Sequence, residues 1–313
     1  MKFLTWPGLL ACLYVSPALG QIATYPLPGS DNHVVGAHQT VFTTAADTLV
    51  DFAQRYQLGY NVIRSANPQV DAWLPGDATE VLLPGEVILP EARRRGIVIN
   101  VAEMRLFHYR RDEKTSQPVV DIFPISVGRG DWSTPVTKTR VTGRVQNPTW
   151  YPPESIRAEH AARGDALSKK VPPGPDNPLG EFLLMLDIPG YFIHGTNRDY
   201  GIGMQVTHGC IRMYPDHISW LVRHAPNGTP VSIVNQPFKV GLRGEQLLLE
   251  VHRELESANS ASAAELTDIV AAIIRATGNS RAQIEWERVE RILAEARGTP
   301  ELIGELRRDQ KES

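Results

Sequence analysis

From Gly96 onward the chain is built of short β-branched and aromatic runs set apart by turn residues, and few architectures accept that pattern. Residues 97–102 and 105–109 are such runs, Arg110 to Lys114 is a polar hairpin candidate, and residues 119–127 alternate up to Gly128. Residues 182–186, 191–194 and 231–234 continue the series. Repeated short strands with turns between them predict an all-β sandwich or barrel over residues 96–235. The 24 prolines weigh against a helical bundle, because proline interrupts helices and suits loops. A length of 313 residues leaves room for a second unit and a sizeable core.

Residues 1–20 read as a secretory signal peptide. Lys2 supplies the positive start, residues 3–15 are mostly apolar, and Ala18-Leu19-Gly20 puts small residues before a cleavage point at Gln21. Leu9-Leu10-Ala11-Cys12 also reads as a lipoprotein box with Cys12 lipidated. A buried N-terminal helix is the alternative to export. Export places the chain in an oxidising compartment, where thiols tend to be paired or excluded. Cys210 is then the only thiol of the mature chain, either kept for its reactivity or simply buried. The formal charge of −3, with both signs interspersed, offers no polyanion-binding surface, so nucleic acid is not an expected partner.

Residues 33–90 read as a small α+β module. Leu49, Phe52, Ala53 and Tyr56 have helical spacing, with Asp47 as the expected N-cap and Gly59 as the stop. A second helix spans about 61–66 and ends at Asn67-Pro68. Residues 81–83 and 87–89 are β-type runs around a Pro84-Gly85 turn. With Asp47-Thr48-Leu49, Arg55-Tyr56, Ile63, Ala66-Asn67-Pro68 and Leu89-Pro90, this order resembles a LysM domain. The resemblance implies binding of N-acetylglucosamine-containing glycan. A packing domain that binds nothing is the plainer alternative. Residues 131–180 read as mostly irregular, with one helix over 155–166, and such an insertion suits a lid or substrate rim.

The stretch from His194 to Arg212 carries the chemistry. It holds two of the nine histidines and Cys210. A thiol attacks well only as thiolate, and a nearby imidazole can take its proton, which predicts a thiolate–imidazolium pair of Cys210 and His194. The Gly195 carbonyl is close enough in sequence to fix the His194 tautomer. Gly209 lets backbone approach a substrate, N–H groups near Cys210 can hold an oxyanion, and Arg212 can clamp a carboxylate. These roles describe acyl transfer through a thioester. A zinc site of His194, His208 and Cys210 is the alternative, on a spacing unlike the usual zinc motifs.

The pattern His194-Gly-Thr-Asn, a gap, then Thr207-His208-Gly209-Cys210-Ile211-Arg212 resembles the signature of L,D-transpeptidase catalytic domains. Thr134-Pro135, Asn147-Pro148, Trp150, Pro152-Pro153 and Asn177-Pro178-Leu179-Gly180 add to the resemblance. It implies a mainly β protein: a YkuD-type β-sandwich with a LysM-like N-terminal domain and a helical C-terminal tail. By position, Cys210 matches the nucleophile, His194 the proton acceptor and Gly195 the carbonyl that orients it. His208, Gly209 and Arg212 match substrate-pocket positions. His208 as a hydrogen-bonded structural residue and Arg212 as a structural ion pair are the competing readings.

The resemblance further implies a periplasmic enzyme acting on peptidoglycan stem peptides and glycan, without metal or organic cofactor. The acceptor is an amine of a second stem, giving a 3→3 crosslink, or a lysine of an outer-membrane lipoprotein. A non-catalytic wall-binding protein and a hydrolase releasing lipoprotein from the wall are the alternatives.

Residues 236–313 read as a strand at 246–251, a linker at 259–263 and two helices. The first opens on a Ser262/Glu265 capping box and stops at Gly278. The second opens at Ser280 and Gln283, with Ile284, Val289, Ile292, Leu293 and Ala296 as its apolar face. The helices form a hairpin on the body or an arm for a partner.

Overall fold

A computed structural model describes residues 22–29, 32–255, 266–278 and 280–307. The leader with Cys12, the 259–263 linker and the Ser262/Glu265 capping box lie outside them. Strand β1 (Ala23–Pro26) precedes a small unit of β2 (Val34–Val35), β3 (Gln39–Phe42), α1 (Leu49–Arg55), α2 (Tyr60–Ala66), β4 (Glu80–Leu83) and β5 (Val87–Ile88). β3 pairs with β4 and β2 with β5, so the two runs around Pro84-Gly85 do not pair with each other.

Thr48, not Asp47, caps α1. Its hydroxyl accepts from Asp51 N at 3.1 Å and the Asp51 carboxylate accepts from Thr48 N at 2.8 Å, a reciprocal cap worth about 1 kcal/mol. Asp47 instead takes two hydrogen bonds from Thr44 and one from Arg55. Buried Asn67 staples α2 to β4, donating to Ile63 O and Leu82 O and accepting from Leu82 N. Leu49, Phe52, Ile63 and Val81 fill the unit's core.

The central unit follows as β6 (Gly96–Asn100), β7 (Arg105–Arg111), β8 (Pro118–Gly128), β9 (Thr137–Gln146), α3 (Glu154–Ala162), β10 (Phe182–Leu186), β11 (Phe192–His194), β12 (Gln205–Thr207), β13 (Ile211–Met213), α4 (Pro215–His224) and β14 (Pro230–Val234). Its strands close on themselves in the order β8-β13-β11-β10-β9-β14-β6-β7, with β7 returning to β8. Two long strands turn the corners. β8 pairs with β7 over residues 118–124 and with β13 at 125–126. β9 pairs with β14 over 137–140 and with β10 over 141–146. The result is a two-layer sandwich whose layers share strands.

Ile97, Leu106, Phe123, Ile125, Leu184, Ile193, Ile211 and Met213 fill its interior, each fully buried side chain contributing roughly 1.5–3 kcal/mol. The outer wall is apolar too: Val98, Phe107, Val120 and Ile122 pack against Val35, Val87 and Leu89 of the small unit.

Two sequence expectations change here. The stretch read as irregular contains the ten-residue strand β9. The C-terminal segment is not a helical tail: β15 (Phe238–Arg243), β16 (Gln246–Val251), α5 (Leu266–Thr277), β17 (Ala282–Ile284), α6 (Trp286–Glu295) and β18 (Glu301–Leu306) make a four-stranded sheet, ordered β15-β16-β18-β17, with helices packed on it. Ile284 belongs to β17 rather than to the second helix, because its neighbours pair with β18 and Trp286 starts α6. The apolar helix faces cover Leu247, Leu249 and Ile303, so the two described helices pack on this sheet.

A buried charged knot ties the three units. Lys239 Nζ lies 2.7 Å from Glu103 and 3.0 Å from Glu250, Arg105 lies 3.0 and 3.1 Å from the same carboxylates, and His252 Nε2 lies 2.7 Å from Glu250. Ile88 of the small unit donates its N–H to Glu250 at 2.7 Å and accepts from Lys239 at 2.6 Å.

Candidate active site

β11 and β13 run parallel and adjacent, with Ile193 opposite Ile211 and His194 opposite Arg212. Side chains alternate across a strand, so the two buried isoleucines face the core and His194 and Arg212 share the other face. Cys210 immediately precedes β13, two residues before Arg212. The pairing thus sets His194 beside Arg212, 18 residues apart in sequence, and Arg212 acts electrostatically on both His194 and Cys210. Residues 195–209 make the crossover, through a 3₁₀ turn at Asp199–Gly201 and β12.

His194 is buried, and its Nδ1 sits 2.7 Å from Gly195 O. Nδ1–H donates to that carbonyl, which leaves Nε2 as the basic nitrogen. Burial, with Arg212 adding to it, pushes the imidazole pKa down to about 3, against the pull of the Gly195 and Leu179 backbone. Cys210 is half-buried with Sγ 3.5 Å from Gly190 O. Burial pushes its pKa up, and the Phe192 backbone and Arg212 offset this only in part. Each shift, taken for its own group, favours the neutral form. Each reflects the cost of holding a single charge away from water.

The backbone at the thiol is pinned from both sides. Thr207 Oγ1 donates to Cys210 O at 2.6 Å, and Thr134 Oγ1 donates to Gly209 O at 2.9 Å while accepting from Gly128 N. Gly209 has φ +98°, and a Cβ there would lie 2.9 Å from the Tyr191 ring. Only glycine fits that conformation and that space.

His208 is held by Glu159 of α3. Its Nε2 is 2.7 Å from Glu159 Oε2 and 3.2 Å from Arg129 Nη2, and its ring meets Trp132 edge-on at 5.2 Å. Arg129 also pairs with Glu159. His208 and then Arg129 hold the Glu159 carboxyl down at about 2. The sequence reading predicted a helix here but gave Glu159, Arg129 and Trp132 no role. Asn177, fully buried, donates to Pro148 O and Pro172 O and anchors the insertion that carries α3.

Arg212 is mostly buried, and its Nε has no hydrogen-bond partner. No carboxylate pairs with it among the described residues, so the ion-pair reading does not hold. Burial and then Arg198 lower its pKa. The zinc grouping of His194, His208 and Cys210 does not assemble. Among the described residues the one trio spaced for a metal is Glu103, Glu250 and His252, and Lys239 and Arg105 already neutralise it.

The YkuD L,D-transpeptidase catalytic-domain family model matches residues 94–233, and the chain belongs to the L,D-transpeptidase family. Over 236 residues it is 41% identical to the Escherichia coli K12 protein named Probable L,D-transpeptidase ErfK/SrfK, covering 74% of each chain. It is 38% identical over 238 residues to Probable L,D-transpeptidase YbiS of the same strain, covering 75% of this chain and 76% of that one. Among solved structures, the catalytic domain of an E. faecium L,D-transpeptidase is 18% identical with a TM-score of 0.34, covering 46% of this chain and 99% of that one.

Proposed function

We propose that the protein is a periplasmic cysteine L,D-transpeptidase acting on peptidoglycan stems. Cys210 attacks the carbonyl between diaminopimelate and D-alanine of a tetrapeptide, and His194 Nε2 takes the thiol proton as the S–C bond forms. Backbone N–H groups beside Cys210 hold the oxyanion, and such a donor is worth roughly 3 kcal/mol. His194 returns the proton to the leaving D-alanine amine as the C–N bond breaks, leaving a thioester. An amine of a second stem, or a lipoprotein lysine, attacks the thioester and gives its proton to His194. The thiolate leaves and is reprotonated.

The single observation carrying this reading is the parallel β11/β13 pair, which sets His194 opposite Arg212 with Cys210 immediately before β13. The Gly195 carbonyl steadies the imidazolium while it lasts. Arg212, whose buried Nε has no hydrogen-bond partner among the described residues, suits a donor carboxylate. The βααβ order of the small unit, with Phe42, Trp73 and Leu74 exposed, supports a LysM-like glycan-binding role.

Mass spectrometry with a disaccharide-tetrapeptide tests the proposal, with and without a lysine-ended lipoprotein peptide. Loss of D-alanine with a 3→3 dimer identifies a crosslinker, and coupling to the lysine peptide alone identifies an anchoring enzyme. Cys210→Ser must abolish the acyl-enzyme mass. Unchanged D-alanine release in that variant would overturn the mechanism.

A further inference from the structure

The crossover joining His194 to Cys210 is held from outside the catalytic unit. Tyr60 N and Asn61 N, the first amides of α2, donate to Ile202 O at 3.0 Å and Gly203 O at 3.2 Å. Such first-turn amides have no partner within their own helix, and here they are satisfied by the crossover. Gln54 Nε2 on α1 donates to Asp199 Oδ1 at 2.9 Å. Tyr214 Oη, just past β13, donates to Leu58 O at 3.0 Å. Gly59 and Gly203 meet so closely that a Cβ on Gly203 would lie 2.3 Å from Gly59 Cα. Met204 packs into the small unit's own core. From the other side, Ser126 Oγ of β8 donates to Gly201 O at 2.7 Å. The crossover is clamped between β8 and the small N-terminal unit.

Clamping here has a chemical meaning. The crossover fixes the turn that carries Arg198 and Tyr200, both of which act electrostatically on buried Arg212. It also leads through β12 directly into Thr207, whose hydroxyl pins Cys210. A shift of the crossover therefore moves both the thiol loop and the cationic side of the site, while leaving the core strands β11 and β13 in place. Misplacement by about 1 Å costs on the order of 100-fold in rate.

We propose that the N-terminal unit is a working part of the transpeptidase site rather than only a wall-targeting appendage. In this assignment, which rests on the transpeptidase reading above, Gln54 is a positioning residue acting through Asp199. The bond is a good handle because it joins the two units through one neutral amide and one carboxylate. In Gln54→Glu two carboxylates face each other. Adding Asp199→Asn restores a single hydrogen bond with donor and acceptor exchanged.

The full-length chain, the three variants Q54E, D199N and Q54E/D199N, and Q54A would be compared for D-alanine release from the tetrapeptide. Melting temperature would be measured alongside. Q54E should lower kcat about tenfold with little change in KM or melting temperature, and Q54A should lower it less. D199N keeps an acceptor for Gln54 and should stay near wild type. The double variant should regain most of the lost kcat, and a melting temperature that stays constant while kcat falls and recovers separates positioning from a merely structural defect. A Q54E enzyme with wild-type kcat, or a double variant as slow as Q54E, overturns the positioning role. A wild-type chain that releases no D-alanine overturns the transpeptidase reading, and this proposal with it.

Discussion

Burial acts on Cys210 and His194 in opposite senses, raising the thiol and lowering the imidazole. Iodoacetamide should therefore label native Cys210 more slowly at pH 7 than free cysteine. The rate should climb about tenfold per pH unit until the thiol ionises. A labelling rate already on a plateau near pH 6 would mean that a thiolate is preformed. At Arg212 the expectation concerns binding: Arg212→Gln should lower kcat/KM for the tetrapeptide by about ten- to a hundredfold, with Arg212→Lys only partly restoring it. An amidated donor lacking the recognised carboxylate should show a smaller loss.

The Nδ1 contact of His194 with Gly195 O was legible in the sequence because the two residues are neighbours at a strand end. Glu159 was not, since it reaches His208 across 49 residues from an insertion with no periodic signal.

Between residue and fold, the Thr134 hydroxyl links two backbone segments, Gly128 on β8 and Gly209 beside the thiol. Thr134→Val keeps the shape but leaves a buried N–H and a buried C=O unpaired. It should cost roughly 1–3 kcal/mol in urea unfolding and slow acylation as well. Gly209→Ala should lower activity more than stability, since its Cβ meets the Tyr191 ring at the mouth of the site.

β9 shows why element reading fell short. Thr137, Thr139, Val141, Gly143 and Val145 alternate with Lys138, Arg140, Thr142, Arg144 and Gln146. The period of two is present, but only Val141 is fully buried, so hydrophobicity did not mark it as a strand. In the C-terminal unit the error ran the other way. Ile284 fitted the apolar face of the following helix by spacing, and only the pairing with β18 makes it a strand residue.

For the whole molecule, the knot of Glu103, Glu250, Lys239, Arg105 and His252 is the joint between three units. Burial would raise the Glu250 pKa, but Lys239, His252 and Arg105 together hold it low. Lys239→Met strands negative charge in the interior and should destabilise by about 3–5 kcal/mol, read as a lower urea midpoint.

Acid acts through a different pair. His194 and His217 are buried and neutral, with pKa values of about 3 and about 4 against an ordinary 6.5. Below pH 6.5 the unfolded chain binds protons that the folded one refuses. Stability is thus complete above that pH and falls as pH drops towards 4. The urea midpoint should be lower at pH 5 than at pH 7.5, and His217→Phe should narrow the gap.

One further consequence follows from the order β15-β16-β18-β17. The strand made last, Glu301–Leu306, lies between two made earlier. During synthesis β16 and β17 must each wait with an open edge until the final strand emerges to fill the gap. A premature stop shortly before residue 301 would remove the sheet's middle, not its margin. The nascent chain would be left with two unpaired edges to protect from its neighbours.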